Sequence, residues 1–482
     1  MFRKPKNLLI LTTAVLLSGC GSLTGLIGRV YEEPKAPEMS ESILQEQSDG
    51  RYQVAAPVAA WWEQLGDDQL TELVTEALAN NLDVKVAVAN VKAARAYVRG
   101  QKFDRYPTVT ASGGYTRERL SNDGRTGKPA DRTVSSYDAG FDAFWELDLF
   151  GRVEEGIAAR KAVYEGSEAE LANVYVTVAA EVARTYTELR GAQYRLSVAK
   201  RNAENQQKTY DLITNLVEGG RSSDLDIARA QAQLDQTLAL VPPLEAEINA
   251  AANRLAVLTG KTPDALRGNL SDVKPIPSIP AHVLVGSAQD LLKNRPDVRV
   301  AERALATATA EYNVNVADFY PTLSVSGSLG FLARTASNLF TSGATTALLA
   351  PGISWSAFDL GRVKARVDAS DAATDVAMAN FQQTVLEALE ELDSSMVRFS
   401  REEQRRARLL GAAESSAKAA KLARQRYEAG RDSFLDLLDT ERRLLDAEDA
   451  LASSETQAVL DLIAVYKALG GGWQGGKAAQ RQ

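Results

Sequence analysis

The chain has 482 residues, 45% of them apolar and 24% charged, with 55 Lys+Arg against 63 Asp+Glu, one histidine and one cysteine. This acidic balance argues against a nucleic-acid partner, which would call for a basic face, and a single cysteine excludes an intrachain disulfide. The length would ordinarily imply about three domains, a rule that chains built from long helices break.

Arg3, Lys4 and Lys6 precede a short apolar run, Leu8 to Leu17, followed by Ser18, Gly19 and Cys20. A basic start, about ten apolar residues and small residues before a cleavage point read as a secretory signal. The run is far shorter than the roughly 20 residues that span a bilayer, and no later stretch is long and apolar enough. Leu17-Ser18-Gly19-Cys20 resembles a bacterial lipobox, which implies removal of residues 1–19 and acylation of Cys20, palmitate included. Gly21 and Ser22 follow instead of an aspartate, so inner-membrane retention is not indicated. The mature chain would carry 52 Lys+Arg against 63 Asp+Glu, a net charge of −11. Residues 20–60, with Pro34, Pro37 and Pro57 and little periodicity, read as an extended tether.

Trp61-Trp62 opens an ordered region, and a helix is predicted from about Gln69 to Arg105 with Asp67 or Asp68 as N-cap. At Tyr106-Pro107 the period changes to two. Val109, Ala111, Gly113 and Tyr115 alternate with Thr108, Thr110, Ser112 and Gly114; later Tyr137, Ala139, Phe141, Ala143, Trp145 and Leu147 alternate with Ser136, Asp138, Gly140, Asp142 and Glu146. Tyr320-Pro321-Thr322 restarts the pattern 214 residues after Tyr106-Pro107-Thr108. There Leu323, Val325, Leu329 and Phe331 alternate with serines, then Ile353, Trp355 and Ala357 with Ser354 and Ser356. Strands of about ten residues with one apolar face and aromatics near their ends fit an outer-membrane barrel.

After each strand pair comes a helical hairpin, Arg152 to Gly260 and Arg362 to Gly470. An offset of 210 aligns Gly220-Arg221 with Gly430-Arg431 and Asp226 with Asp436. The 66 residues from Arg152 to Val217 lack proline, and as one helix would reach roughly 100 Å. Heptad positions Ile227, Leu234, Val241, Ile248 and Leu255, and in the second copy Leu437, Leu444, Leu451, Ala458 and Val465, predict side-by-side coiled-coil packing. Pro242-Pro243 predicts a break in the first returning arm, placed at a belt formed by residues 61–68 and 261–286; the second arm lacks it.

The predicted division is a signal (1–19), a tether (20–60), repeat one (61–286; strands 108–147, hairpin 152–258, belt 261–286), repeat two (287–470; strands 322–358, hairpin 362–468) and a tail (471–482). Four strands cannot close a barrel, and an open edge in hydrocarbon would leave backbone groups unpaired. Several chains must share one barrel. Three would supply twelve strands, although the counting also allows a dimer or tetramer.

These residues resemble the TolC-like outer-membrane efflux channels, in the OprM/NodT-type lipoprotein branch. The resemblance covers essentially the whole mature chain. It rests on the lipobox, Trp61-Trp62, Asn80-Asn81-Leu82-Asp83, Tyr106-Pro107, the run Trp145 to Arg152, Asn294-Arg295-Pro296-Asp297, Tyr320-Pro321 and the run Tyr466 to Trp473. It implies a mixed α+β membrane protein with an internal two-fold repeat: a homotrimer with a 12-stranded barrel in outer-membrane lipid, continued by a long α-helical barrel in the periplasm. It also implies docking to a periplasmic adaptor (a membrane fusion protein) and an inner-membrane pump of the RND type, with a role in multidrug efflux from Gram-negative cells.

The candidate site is the pair of hairpin tips. Gly219, Gly220, Arg221 and Gly430 form the turns, which the resemblance offers to the adaptor; Ser223 or Asp432 is expected to cap the next helix. Asp436, Asp439 and Arg442, three apart, share one helical stripe, and a trimer would bring six carboxylates towards its axis. In the family the positions matching Asp436 and Asp439 form the periplasmic constriction, with Leu435 at an apolar ring. Those matching Tyr427 and Asp226 belong to a latch between hairpins. Asp432 departs from the pattern, standing where a relative has arginine, so Arg442 or Arg431 is expected to supply the cation that holds the tip. No cofactor, metal or catalytic residue is expected: His282 lies in a proline-flanked linker, and Gly470-Gly471-Gly472 ends a helix. The alternative, a structural or adhesive coiled-coil lipoprotein, does not need four lipid-facing strands.

Overall fold

The computed structural model describes residues 28–32, 34, 52–54, 59–119, 121, 133–285 and 295–473. Signal residues 1–19, Cys20, most of the tether, Asn294 and the tail beyond Trp473 lie outside the described residues. In chain order the elements are β1 (Tyr52–Val54), α1 (Asp68–Asn80), α2 (Leu82–Lys102), β2 (Thr108–Arg119), β3 (Thr133–Leu147), α3 (Arg152–Glu218), α4 (Asp224–Leu238), α5 (Val241–Leu258), β4 (Val283–Val285), α6 (Pro296–Ala317), β5 (Thr322–Ala333), β6 (Thr345–Ser354), α7 (Leu360–Glu428) and α8 (Phe434–Ala468). The described residues form two compact units, one of those within 1–35, 90–167 and 300–382, the other of those within 36–89, 168–299 and 383–482.

The first unit holds a four-stranded antiparallel sheet in the order β2-β3-β5-β6. Its register pairs Phe141 with Ala111 and Leu329, and Asp142 with Thr110 and Ser328, so the period-two pattern sorts into one apolar and one polar face. The apolar face is open: Val109, Phe141, Leu329, Leu349 and Ile353 are all exposed. Among the described residues β2 and β6 each have one unpaired edge. Trp145 Nε1 donates to the Arg105 carbonyl at 3.1 Å and Trp355 Nε1 to that of Phe319 at 3.0 Å, so each indole ties a strand end to the chain before Tyr-Pro. Trp355 and Ala357 were expected within the last strand. The ladder stops at Ser354, because it pairs with Thr322, where β5 begins after Pro321.

In the second unit α1 starts at Asp67, whose Oδ1 accepts the Leu70 N–H at 3.0 Å. The single helix predicted to Arg105 is two. Asn81 stands between α1 and α2, its Oδ1 accepting the Asp83 and Val84 N–H groups while its Nδ2 donates to the Leu258 carbonyl at 3.0 Å. A buried amide that caps one helix and binds the end of another outweighs helix continuity. The tether is likewise not wholly unpaired, since β1 pairs in parallel with β4, Tyr52 opposite Val283.

Helices α3 and α7 run unbroken for 67 and 69 residues. The first returning arm is broken: α4 ends at Leu238 and α5 begins at Val241 with proline in its first turn, where a missing N–H costs nothing. The second returning arm, α8, is one helix of 35 residues. The break does not sit in the belt as expected. Belt packing on α5 starts at Ile248, about 9 Å beyond Pro242 at 1.5 Å per residue. That belt is a collar in which Trp61 stacks on Tyr466 (centroids 5.0 Å apart) and meets Trp62 edge-on, among Leu65, Leu70, Leu255, Leu462 and Val465. Tyr186 donates to Asp67 Oδ2 at 2.7 Å, and buried Arg190 binds Gln193, the Asp272 carbonyl and Gln69, which ties α1, α3 and the 261–282 segment together.

Candidate functional site: the hairpin tips

Both tips turn by the same device. At the first, the Gly220 N–H bonds the Val217 carbonyl at 2.9 Å and Arg221 N–H that of Leu216 at 2.7 Å; at the second, Gly430 bonds Tyr427 and Arg431 bonds Arg426, each at 2.9 Å. This is the Schellman pattern, which needs a left-handed residue, and Gly220 (φ 70°) and Gly430 (φ 67°) supply it. Gly219 keeps helical direction and bonds the Asn215 carbonyl at 3.1 Å.

The next helices start differently. At the second tip the cap is Ser433, not the expected Asp432. Ser433 Oγ accepts the Asp436 N–H at 3.2 Å and donates to Asp436 Oδ2 at 2.7 Å, while the Ser433 N–H reaches that carboxylate at 3.3 Å. This is a capping box with aspartate in the glutamate's place. Asp432 is drawn off to Arg426, which grips both its oxygens at 2.6 and 2.8 Å; that guanidinium holds the Asp432 carboxyl below its ordinary range. At the first tip Ser223 is the N-cap residue, but its hydroxyl makes no bond to a helix N–H. It donates instead to Asp226 at 2.8 Å, as Ser222 does at 3.1 Å. Burial pushes Asp226 up, but the two hydroxyls, a backbone bond and Arg229 outweigh it, and its carboxyl lies below the usual value.

Between the tips lies a small apolar cluster of Ile213, Ala230, Ala423, Phe434 and Leu437, with Tyr210, Ile227 and Tyr427 against it. Burial, then the Asp226 charge, raises the Tyr427 hydroxyl, against a smaller lowering by Ser222 and Arg221 of the first tip. The structure therefore brings Tyr427 and Asp226 together. Arg431 is exposed and has no side-chain partner among the described residues. Asp439 has two cations, Arg442 at 3.1 Å and Arg443 at 2.8 Å. Leu435 is exposed beside Asp436. Above the cluster, Glu441 is buried and accepts from Arg424 at 2.6 Å and from Thr209 of the other hairpin at 3.0 Å.

Among the described residues no His/Cys/Asp/Glu group could hold a metal ion, and no helix is long and apolar enough to cross a membrane. Comparison with known proteins decides the class. A family model described as outer membrane efflux protein matches residues 73–261 and 287–471. The chain belongs to the outer membrane efflux protein family. It is 30% identical over 488 residues to the probable efflux pump outer membrane protein TtgC of Pseudomonas putida, covering 99% of this chain and 98% of that one. It is 29% identical over 481 residues to the outer membrane protein OprJ of Pseudomonas aeruginosa, again covering 99% and 98%. The solved structure of the outer-membrane channel OprN superimposes with a TM-score of 0.88 at 38% identity, over 93% of this chain and 99% of that one. As an outer membrane efflux protein, the chain is the outer-membrane component of a tripartite efflux system, a passive duct and not an enzyme, served by an adaptor and an inner-membrane pump.

Sequence reasoning missed Arg426, Arg443, Ser433, Arg424 and Glu441 in this efflux protein. Two signals were available: the Ser-x-x-Asp spacing of 433–436, and a carboxylate at 441 on the seam between Leu437 and Leu445. Arg426, six residues from Asp432 across a turn, had none.

Proposed function

We propose that three copies of the chain form one outer-membrane duct, each giving four strands to a twelve-stranded barrel and two hairpins to a helical tube in the periplasm, with Cys20 acylated at the membrane. The observation that carries this is the sheet. A chain with one apolar face in the open and two unpaired edges is stable in a bilayer only if other copies pair the edges and lipid covers the face. The two stretches of the family match fit an internal two-fold repeat, which in a trimer gives near-sixfold tube symmetry.

The second tip is the periplasmic constriction. Asp436 and Asp439 of three chains lie towards the axis, Leu435 beside them, with Arg442 and Arg443 offsetting repulsion that like charges would otherwise build. Tyr427, Asp226 and the Ile213 cluster form the latch that keeps the second hairpin against the first. Arg431 takes no part in the latch from within its own chain. With Gly219, Gly220, Arg221 and Gly430 it forms the tip surface that meets the adaptor, and an RND-type pump supplies the energy. Opening separates the hairpins by breaking the apolar cluster and the Thr209–Glu441–Arg424 bonds.

The test is single-channel conductance in a planar bilayer, wild type against Asp436→Ala/Asp439→Ala. The expected result is a small, cation-preferring conductance that grows and loses preference in the variant. A variant identical to wild type would move the constriction elsewhere, and no conductance from inserted trimers of either protein would remove the duct reading.

A further inference from the structure

The residues just after the lipidation site follow a path set by one helix. The buried stripe of α6 runs through Val298, Leu305, Ala306, Thr309, Ala310 and Val316 and is interrupted by two polar side chains, Glu302 and Asn313. Both are engaged by the segment 28–31. Asn313 treats Arg29 as a strand partner: its Oδ1 accepts the Arg29 N–H and its Nδ2 donates to the Arg29 carbonyl, each at 2.9 Å. A Cβ on residue 28 would collide with that amide, so Gly28 is what lets the chain approach. The Arg29 guanidinium pairs with Asp371 at 2.5 Å and lies 4.9 Å over the Tyr312 ring. The Tyr31 hydroxyl donates to buried Glu302, which also holds Arg303, and Arg303 in turn binds Glu165 at 2.6 Å.

The contacts also define a direction. Going back from Tyr31 to Arg29 moves along α6 from Glu302 to Asn313, towards the helix end at Ala317 and the start of β5 at Thr322. The N-terminal chain is therefore led towards the sheet. Seven residues lie between Cys20 and Gly28, and the steps from one to the other reach about 28 Å at most.

We propose that residues 28–31, docked on Glu302 and Asn313 of α6, form a clasp that limits the reach of the acylated Cys20, so that its lipid enters the membrane beside its own chain's sheet. The clasp rests on the lipoprotein reading above. It adds a length constraint that lipidation alone does not impose: with the clasp closed the anchor reaches no farther than the residues between Cys20 and Gly28 allow, and with the clasp open the reach is longer.

The test deletes residues 23–26, keeping Gly21 and Ser22, and measures the trimer fraction recovered in the outer membrane with and without Arg29→Asp. The deletion alone should lower that fraction about tenfold, because a linker that cannot span its sites loses nearly all effective concentration. Adding Arg29→Asp should return most of it, and adding Asp371→Arg as well, which restores the pair with reversed charges, should close the clasp and lower the fraction again. Full insertion of the shortened chain, or no relief from Arg29→Asp, overturns the proposal. Mass spectrometry of the N-terminal peptide separates this from failure of the underlying reading: an unacylated Cys20 removes the anchor, while protection of residues 28–34 from protease reports the clasp itself.

Discussion

Around Trp61 the hairpins are gathered by a cluster of 34 buried apolar residues drawn from six helices, one 3-residue strand and the belt; at the tips the same hairpins share five. The collar has aromatic stacking and a buried Arg190 that binds Gln193, the Asp272 carbonyl and Gln69, whereas the tips rely on short caps, exposed ion pairs and one tyrosine. Hydrophobic stabilisation scales with area removed from water, so the tips are the part of the helical unit that separates at least cost. This gradient is what the closure proposed for the tips requires.

The comparison breaks most directly at the collar. Trp61→Ala removes a fully buried ring stacked on Tyr466 and should cost about 3–5 kcal/mol, read as a lower midpoint in thermal or denaturant unfolding. If the collar tolerates it as an exposed site would, the gradient does not exist. Ile213→Ala truncates the centre of the tip cluster and should cost about 2–4 kcal/mol locally. Its signature is faster hydrogen exchange at residues 210–238 and 420–440 and more open-channel events, with the global unfolding midpoint nearly kept. A global midpoint shift equal to that of Trp61→Ala would mean that tip and collar unfold as one.

A smaller effect is expected at Glu441, which joins Arg424 and Thr209 across the hairpins. Glu441→Gln keeps the shape but removes the charge, and should cost about 1–3 kcal/mol, again read by exchange at the tips. Smallest is the response to acid. Asp226 and Asp432 both have folded-state values below the ordinary carboxylate value. Their contribution is complete above the unfolded value of about 3.9 and is lost as pH falls through the lower folded values. Open probability should therefore rise below about pH 4, and Asp432→Asn should remove part of the rise. An opening centred near neutral pH would point to other groups.

Much of the fold was legible because its signals are local or periodic. Alternation marked the four strands, the Pro242-Pro243 pair marked the break between α4 and α5, and the absence of proline marked α3. Where the reading went astray, a distant partner decided. Asn81 ends α1 because the Leu258 carbonyl, 177 residues away, binds its amide. The last strand stops at Ser354, short of Trp355, because its partner strand begins at Thr322. The belt begins beyond the proline break because Ile248 is the first residue of that arm to meet the Trp61 cluster. At the tips the competing partner is close by: Arg426, across the turn, holds the Asp432 carboxylate, and Ser433 caps the helix instead.

By itself the sequence determined the parts: two strand pairs, two long hairpins, glycines at both turns and carboxylates beside the second. Backbone propensity, side-chain period and turn chemistry act over a few residues and need no partner. Only the tertiary structure decided which charges are spent on one another. Asp432 belongs to Arg426 across the turn, Glu441 to Arg424 and Thr209, and Asn313 to the backbone of Arg29. Coulomb and hydrogen-bond energies depend on separations of a few ångströms, and folding sets those separations between residues that sequence spacing keeps far apart.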